Sequence, residues 1–218
     1  MERSGSILVL MAAARTTTTT ERRTHAERTE ATTAALLDAG RELFAQDGYA
    51  ATSLEAVVAR AGVTKGALYH HFASKRELFA AVYEREQHRL ARHMAAAYDA
   101  GGKDPWKAFE AGCRAFLEAI LDPGVQRIVL LDSASALGWE GMRAGEVTSE
   151  RMLHEGIRRA IDAGAIPKRR VEPLAALLLG AICEAAMTIA RAEDQPATMR
   201  AMVAELRTLL KSLATPPG

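Results

Sequence analysis

The chain has 218 residues, 49% of them apolar and 25% charged, with a formal net charge of +1. Those proportions exclude a disordered chain and supply a core for one or two domains. The near-neutral total gives no sign of a nucleic-acid partner by itself, because a local basic stripe is hidden in such a sum.

Residues 7–14 form an apolar run ending in Ala12, Ala13 and Ala14. Glu2 offsets Arg3 ahead of it, so the basic start of a secretory signal is missing. The run also falls far below the ~20 residues of a membrane span. Met11 serves as well as Met1 for a start codon. With five threonines at 16–20 followed by Glu21, Arg22 and Arg23, residues 1–25 read as a disordered arm. Cys113 and Cys183 are far apart and lack CxxC spacing, which fits two buried apolar thiols in a reducing cytoplasm.

Helical periodicity dominates the remainder. Leu36, Leu37, Leu43 and Phe44 share one face of a helix expected over 26–46, with Gly48 as its stop. A T-x-x-E capping box at 52–55 opens a second helix, with Leu54, Val57, Val58 and Ala61 at i, i+3, i+4 and i+7. A third helix is expected over 64–71. A second box, Ser74 to Glu77, starts a long fourth helix that ends near Tyr98 ahead of Gly101-Gly102. Asp104-Pro105 and Asp122-Pro123 each pair an N-cap with Pro at the first helical position, predicting helices over 105–121 and 123–137. Gly138, Gly141 and Gly145 predict a broken, flexible stretch around Trp139. Further helices follow over 149–163, 171–192 and 196–213, and the tail 215–218 should be loose. The fold class is all-α: a three-helix N-terminal unit joined by a long helix to a C-terminal bundle.

The informative stretch is 52–75, TSLEAVVARAGVTKGALYHHFASK, two short helices around an Ala61-Gly62-Val63 turn. This is the layout of a helix-turn-helix, which lays one helix in the major groove of DNA. Between Arg15 and Arg76 there are nine Lys/Arg and seven Asp/Glu, so charge alone would not identify a DNA binder. Gly62 sits where the reversal calls for φ > 0. Thr64 can cap the third helix and present its hydroxyl or methyl to the groove. Lys65 lies at the exposed N-terminal end, within reach of a guanine edge or a phosphate. Gly66 costs ~1 kcal/mol relative to Ala in a helix, which points to close backbone approach. Tyr69 has packing on the first helix as its alternative, and His71 reads as structural.

From about 36 to 83, and above all in GVTKGALYHHFASKRELF at 62–79, the chain resembles the DNA-binding domain of the TetR family of bacterial transcriptional regulators. Val58 departs from the pattern, standing where the family usually has Ala. The resemblance implies contacts to double-stranded operator DNA from Thr52, Thr64, Lys65, Gly66, Ala67, Tyr69, His70 and Lys75, with Tyr69, His70 and Lys75 on phosphates. It divides the chain into an arm (1–25), a DNA-binding domain (26–80) and a ligand-binding and dimerisation domain (81–214).

One helix-turn-helix contacts too few bases to select a site, so a homodimer is expected. The helix over 174–189 is apolar nearly all round, with Leu177, Gly180, Ala181 and Glu184 as candidates for its outer, dimerising face. The resemblance implies a four-helix interface that adds the helix over 149–163. Phe109, Cys113, Phe116, Trp139, Met142 and Met152 are the candidate lining of a pocket for a small apolar effector, with an ordinary core as the alternative. No cofactor, metal site, membrane segment or catalytic motif is expected: His70 and His71 diverge on a helix, and no phosphate loop, nucleophile elbow or HExxH occurs. The reading is a cytoplasmic repressor released by its effector, against a constitutive or architectural DNA-binding protein.

Overall fold

The computed structural model describes residues 25–214. The expected N-terminal arm before His25, its competing leader and start-codon readings, and the loose tail at 215–218 lie outside those residues. The described part is all-α, with no strand in it.

Helix α1 (His25–Ala51) buries Leu36, Ala39, Leu43 and Phe44 and kinks at Gly48, whose φ of 83° and ψ of 166° suit glycine. Helices α2 (Leu54–Ala61) and α3 (Lys65–His71) follow, joined through Gly62 in the left-handed region with φ 66°. The Gly62 N–H reaches the carbonyls of Val58 and Ala59, closing the end of α2. Val58 is accommodated as a half-buried neighbour of the core. The α2 cap is Ser53, whose Oγ accepts from the Ala56 N–H at 3.1 Å. The expected capping box does not form: Thr52 is turned inward, the cap falls one residue later at Ser53, and Ala56 has no side chain to reach back. At the second box Ser74 caps as expected, accepting from the Glu77 N–H, while Glu77 reaches one residue further back than the N-cap and accepts from the Ala73 N–H.

Helix α4 (Lys75–Ala100) has 26 residues, about 39 Å at 1.5 Å per residue, and connects the two halves. One side of it buries Leu78, Phe79, Val82, Tyr83, Leu90 and Met94. Glu86, 1% exposed, lies among them and is paired with Arg41 of α1 at 2.9 Å and Arg89 at 3.0 Å. A buried carboxylate is tolerated only when so partnered, and this one ties the first helix to the long one.

Helix α5 (Pro105–Ala119) starts at Asp104, as the Asp-Pro pair predicts, and stacks Trp106 on Phe109 with centroids 4.9 Å apart. The Trp106 indole N–H donates to the Leu210 carbonyl of α9 (Gln195–Leu213), docking the last helix.

The segment expected as one helix over 123–137 is instead composite. A short α6 (Pro123–Val125) passes into a π-helical turn, Gln126–Leu131, and α7 (Ser133–Asp162) begins after Asp132. Gln126 holds the widened turn, donating to the Ile120 carbonyl and to Gln195. The expected broken stretch shrinks to Gly138, with φ 73°, and the helix continues from 139 to 162. Gly141 and Gly145 are helical, and Gly145 serves packing. A Cβ there would lie 2.3 Å from Cε1 of Tyr83.

Helix α8 (Val171–Arg191) packs on α7 and α9. Its length and mean hydropathy of 1.8 reach those of a bilayer-crossing helix, but a core helix of a soluble protein meets the same test.

Candidate nucleic-acid interface

Three helices present one end of the molecule. Thr64 begins α3 in extended conformation, and its Oγ1 accepts from the Ala67 N–H at 3.1 Å. Lys65, Gly66, Tyr69 and His70 follow on the exposed side, Tyr69 at 48% exposure, while Leu68 is fully buried. Tyr69 is thus half covered by its neighbours and half open to solvent. His71 does take a structural place, its Nδ1 lying 3.2 Å from Thr33 Oγ1 of α1. Ala67 is half-buried behind the surface.

Gly66 is informative by what surrounds it. A Cβ built there would meet nothing closer than the Thr64 hydroxyl at 4.0 Å. Its φ is not in the left-handed region, so neither backbone geometry nor crowding within the chain calls for glycine. The surface at the start of α3 is open to whatever lies outside it.

Two sequence candidates do something else. Thr52 is 3% exposed, and its hydroxyl lies within hydrogen-bonding reach of the Gly48 carbonyl at 2.8 Å and the Leu43 carbonyl at 3.2 Å. It closes the kinked end of α1 and is not available to DNA. Ser53, exposed beside it, was missed; the spacing of two adjacent hydroxyls at 52–53 allows either as cap, and burial decides.

Lys75 is also committed inward. Its ammonium donates to the carbonyls of Tyr49, Ala50 and Thr52 at 2.8, 3.1 and 2.9 Å and lies 4.6 Å from the Tyr49 ring centroid. All three of its protons are taken, so a phosphate could only be held by breaking the end of α1. The expected phosphate grip is replaced by a clasp between α1 and α4.

The candidate effector residues divide between core, cleft and surface. Phe109 and Cys113 are core, 3% and 2% exposed, and burial pushes the Cys113 thiol up to about 12. Phe109 lies where a Cβ on Gly156 would come within 2.6 Å of its ring. Phe116 is half-buried against the same core. Trp139 is 70% exposed, with the Arg143 guanidinium 6.0 Å from its ring, so it lines no interior space. Met142 is half-buried, and its carbonyl accepts from the Tyr83 hydroxyl at 3.1 Å. Met152 alone of the six lines an open cleft of about 360 Å³, together with Ala95, Tyr98, Gly156 and Arg159. A second cleft of about 400 Å³, between α4 and α7, includes Tyr83, Gln87, Gly141 and Thr148. Burial of aromatic residues was legible in the sequence; whether they surround a space was not.

The dimer candidates stand together. Leu177, Gly180, Ala181 and Glu184 are all exposed on one face of α8, Leu177 at 73%. Among the described residues, no group of three or more His, Cys, Asp or Glu is placed to hold a metal ion.

Residues 36–82 match the family model of bacterial regulatory proteins, tetR family, and residues 106–213 match the tetracyclin repressor-like C-terminal domain. The chain is 30% identical over 149 residues to the transposon Tn10 TetC protein of Escherichia coli, covering 64% of this chain and 75% of that protein. It is 30% identical over 151 residues to the HTH-type transcriptional regulator SrpR of Pseudomonas putida, covering 67% and 68%. Among solved structures, a TetR-family transcriptional regulator from Pectobacterium atrosepticum shares 37% identity with a TM-score of 0.76, over 90% of this chain and all of that one. Another, solved for the control of antibiotic production by bacterial hormones, shares 28% identity with a TM-score of 0.69, over 84% and 97%. The chain belongs to the TetR family of bacterial transcriptional regulators, non-enzymatic proteins that bind DNA.

Proposed function

We propose that this regulator is a cytoplasmic homodimeric repressor that leaves its operator when a small, largely apolar effector binds. Residues 26–80 read DNA, and residues 81–214 dimerise and take the effector. Thr64, Lys65 and Gly66 approach the bases, Tyr69 and His70 hold phosphates, and the exposed Ser53 joins them. The α8 face around Leu177 and Gly180 forms the core of the dimer.

The observation that carries the DNA-reading part is Gly66. It weakens α3 by ~1 kcal/mol relative to alanine, and no neighbour in the chain needs the space it leaves. A backbone brought against DNA does need it. The substitution Gly66→Ala therefore separates stability from function: it should stabilise the protein by up to ~1 kcal/mol while weakening operator binding at least tenfold. Thermal unfolding and fluorescence anisotropy on a duplex selected from a random library measure the two. Equal operator affinity in both proteins would refute the close approach. The effector part is tested by thermal shift against a panel of apolar metabolites; a compound that raises the melting temperature and lowers operator affinity supports it. If none of the panel does both, the constitutive DNA-binding reading prevails.

A further inference from the structure

Lys65 is paired across the Gly62 turn. Its ammonium lies 2.8 Å from Oε1 of Glu55, and 6.0 Å from the ring centroid of Tyr69 on its other side. Glu55 belongs to the first turn of α2 and Lys65 to the first residue of α3, so the pair spans the Gly62 turn. Both side chains are well exposed, Lys65 at 61% and Glu55 at 66%, on the face that Gly66 leaves open. The hydrogen bond between them holds the Glu55 carboxyl below its ordinary range and Lys65 above its own.

An acidic side chain at this place is costly for DNA binding taken alone, since it brings a negative charge toward phosphates. An exposed ion pair adds little stability in return. The pair does change the lysine. A free lysine is a point charge on a flexible four-carbon stem, able to settle on a phosphate or on several acceptors. Paired with Glu55, it has lost part of that freedom before DNA arrives, which is partial preorganisation. One of its three protons is used by the carboxylate, and two remain for acceptors in front of it.

We infer that Glu55 is a positioning and specificity-determining residue, which buttresses Lys65 so that its ammonium meets a base edge at a fixed place. The inference rests on the assignment of α3 as the reading helix. In nonspecific complexes Glu55 repels the backbone; in the operator complex it holds Lys65 against a guanine edge, the base that presents two acceptors in the major groove. Both effects widen the gap between right and wrong sequences.

The test compares wild type, Glu55→Gln and Glu55→Ala in the full chain. The duplexes are one selected by the wild type, the same duplex with single base-pair changes, and a random-sequence duplex. Gln keeps an oxygen for Lys65 without the charge; Ala keeps neither. Both variants should bind the random duplex more tightly, by about two- to fivefold, with a steeper salt dependence. Discrimination against a change at one G·C pair should fall about fivefold in Glu55→Ala and less in Glu55→Gln. Lys65→Ala should abolish discrimination at that same pair. The inference is overturned if both variants tighten selected and altered duplexes equally, since Glu55 is then only a repelling charge. It is also overturned if Glu55→Ala and Lys65→Ala affect different base pairs. A wild type that prefers no duplex over random DNA would instead remove the DNA-reading assignment itself, and this inference with it.

Discussion

Replacing Lys75 with methionine removes an ammonium while keeping an unbranched, apolar stem of similar length. In the structure that ammonium satisfies the Tyr49 and Thr52 carbonyls in half-buried surroundings and the Ala50 carbonyl at the surface. Water can replace the surface bond, so it contributes little. Each half-buried bond contributes about 1 kcal/mol net, and the ammonium over the Tyr49 ring about 0.5–1 kcal/mol more. Lys75→Met should therefore lose about 2–3 kcal/mol of stability, or about 4–12 °C in melting temperature for a chain of this size. Urea and thermal unfolding followed by far-ultraviolet circular dichroism, at one protein concentration, measure the loss. Anisotropy titrations on random-sequence DNA at several salt concentrations, well below the melting temperature, measure the rest. If Lys75 is a clasp, the salt slope keeps its wild-type value; if it is a phosphate ligand, the slope flattens by about one unit. Unchanged stability with a flattened slope would refute the assignment made here and restore the one expected from sequence.

Two further substitutions probe the C-terminal half. Gly145→Val places methyl groups where the buried Tyr83 ring lies, 2.3 Å from the new Cβ, and should cost about 2–3 kcal/mol in urea unfolding; an unchanged midpoint would mean that α7 shifts freely along α4. Leu177→Asp puts a charge on the most exposed leucine of α8; with the proposed α8 interface, the wild type should sediment as a dimer and the variant as a folded monomer in analytical ultracentrifugation. A variant that remains dimeric would move the interface to another face.

Structure is legible in the sequence where the chemistry is local. Ser74, Asp104, Asp122 and Gly62 act as caps and turn because each needs only its neighbours along the chain, and their spacing is visible there. Engagement of a side chain by a distant element is not legible in this way. Thr52 and Lys75 have the residue types of DNA contacts, but Thr52 bonds back to the Gly48 carbonyl and Lys75 reaches across from α4 to the carbonyls just after the Gly48 kink. The kink itself follows from one glycine; the bonds that hold it span 23 to 83 positions of the chain. Gly145 was misjudged in the same manner, since a glycine that breaks a helix and one that admits a tyrosine ring are the same letter. The pocket was the least legible part. Phe109, Cys113 and Trp139 are alike in being bulky or apolar, and nothing local says that two are sealed in the core while the third faces outward.

The kinked end of α1 is also held from the other side. The Asp132 carboxylate, just after the π-helical turn, accepts from the Tyr49 N–H at 2.7 Å and lies 3.5 Å from Arg127 Nε, while the Arg127 guanidinium lies against Gly48. The Arg76 guanidinium donates to the Leu137 carbonyl close by. A residue added to or taken from Gln126–Leu131 would turn Asp132 by roughly a quarter-turn around its helix axis, off Tyr49. The wide turn thus works as a spacer measured in whole residues, setting the phase between the two halves of the protein. Substitutions within it alter the fit by degrees; a change of length alters which residue faces the DNA-binding half at all.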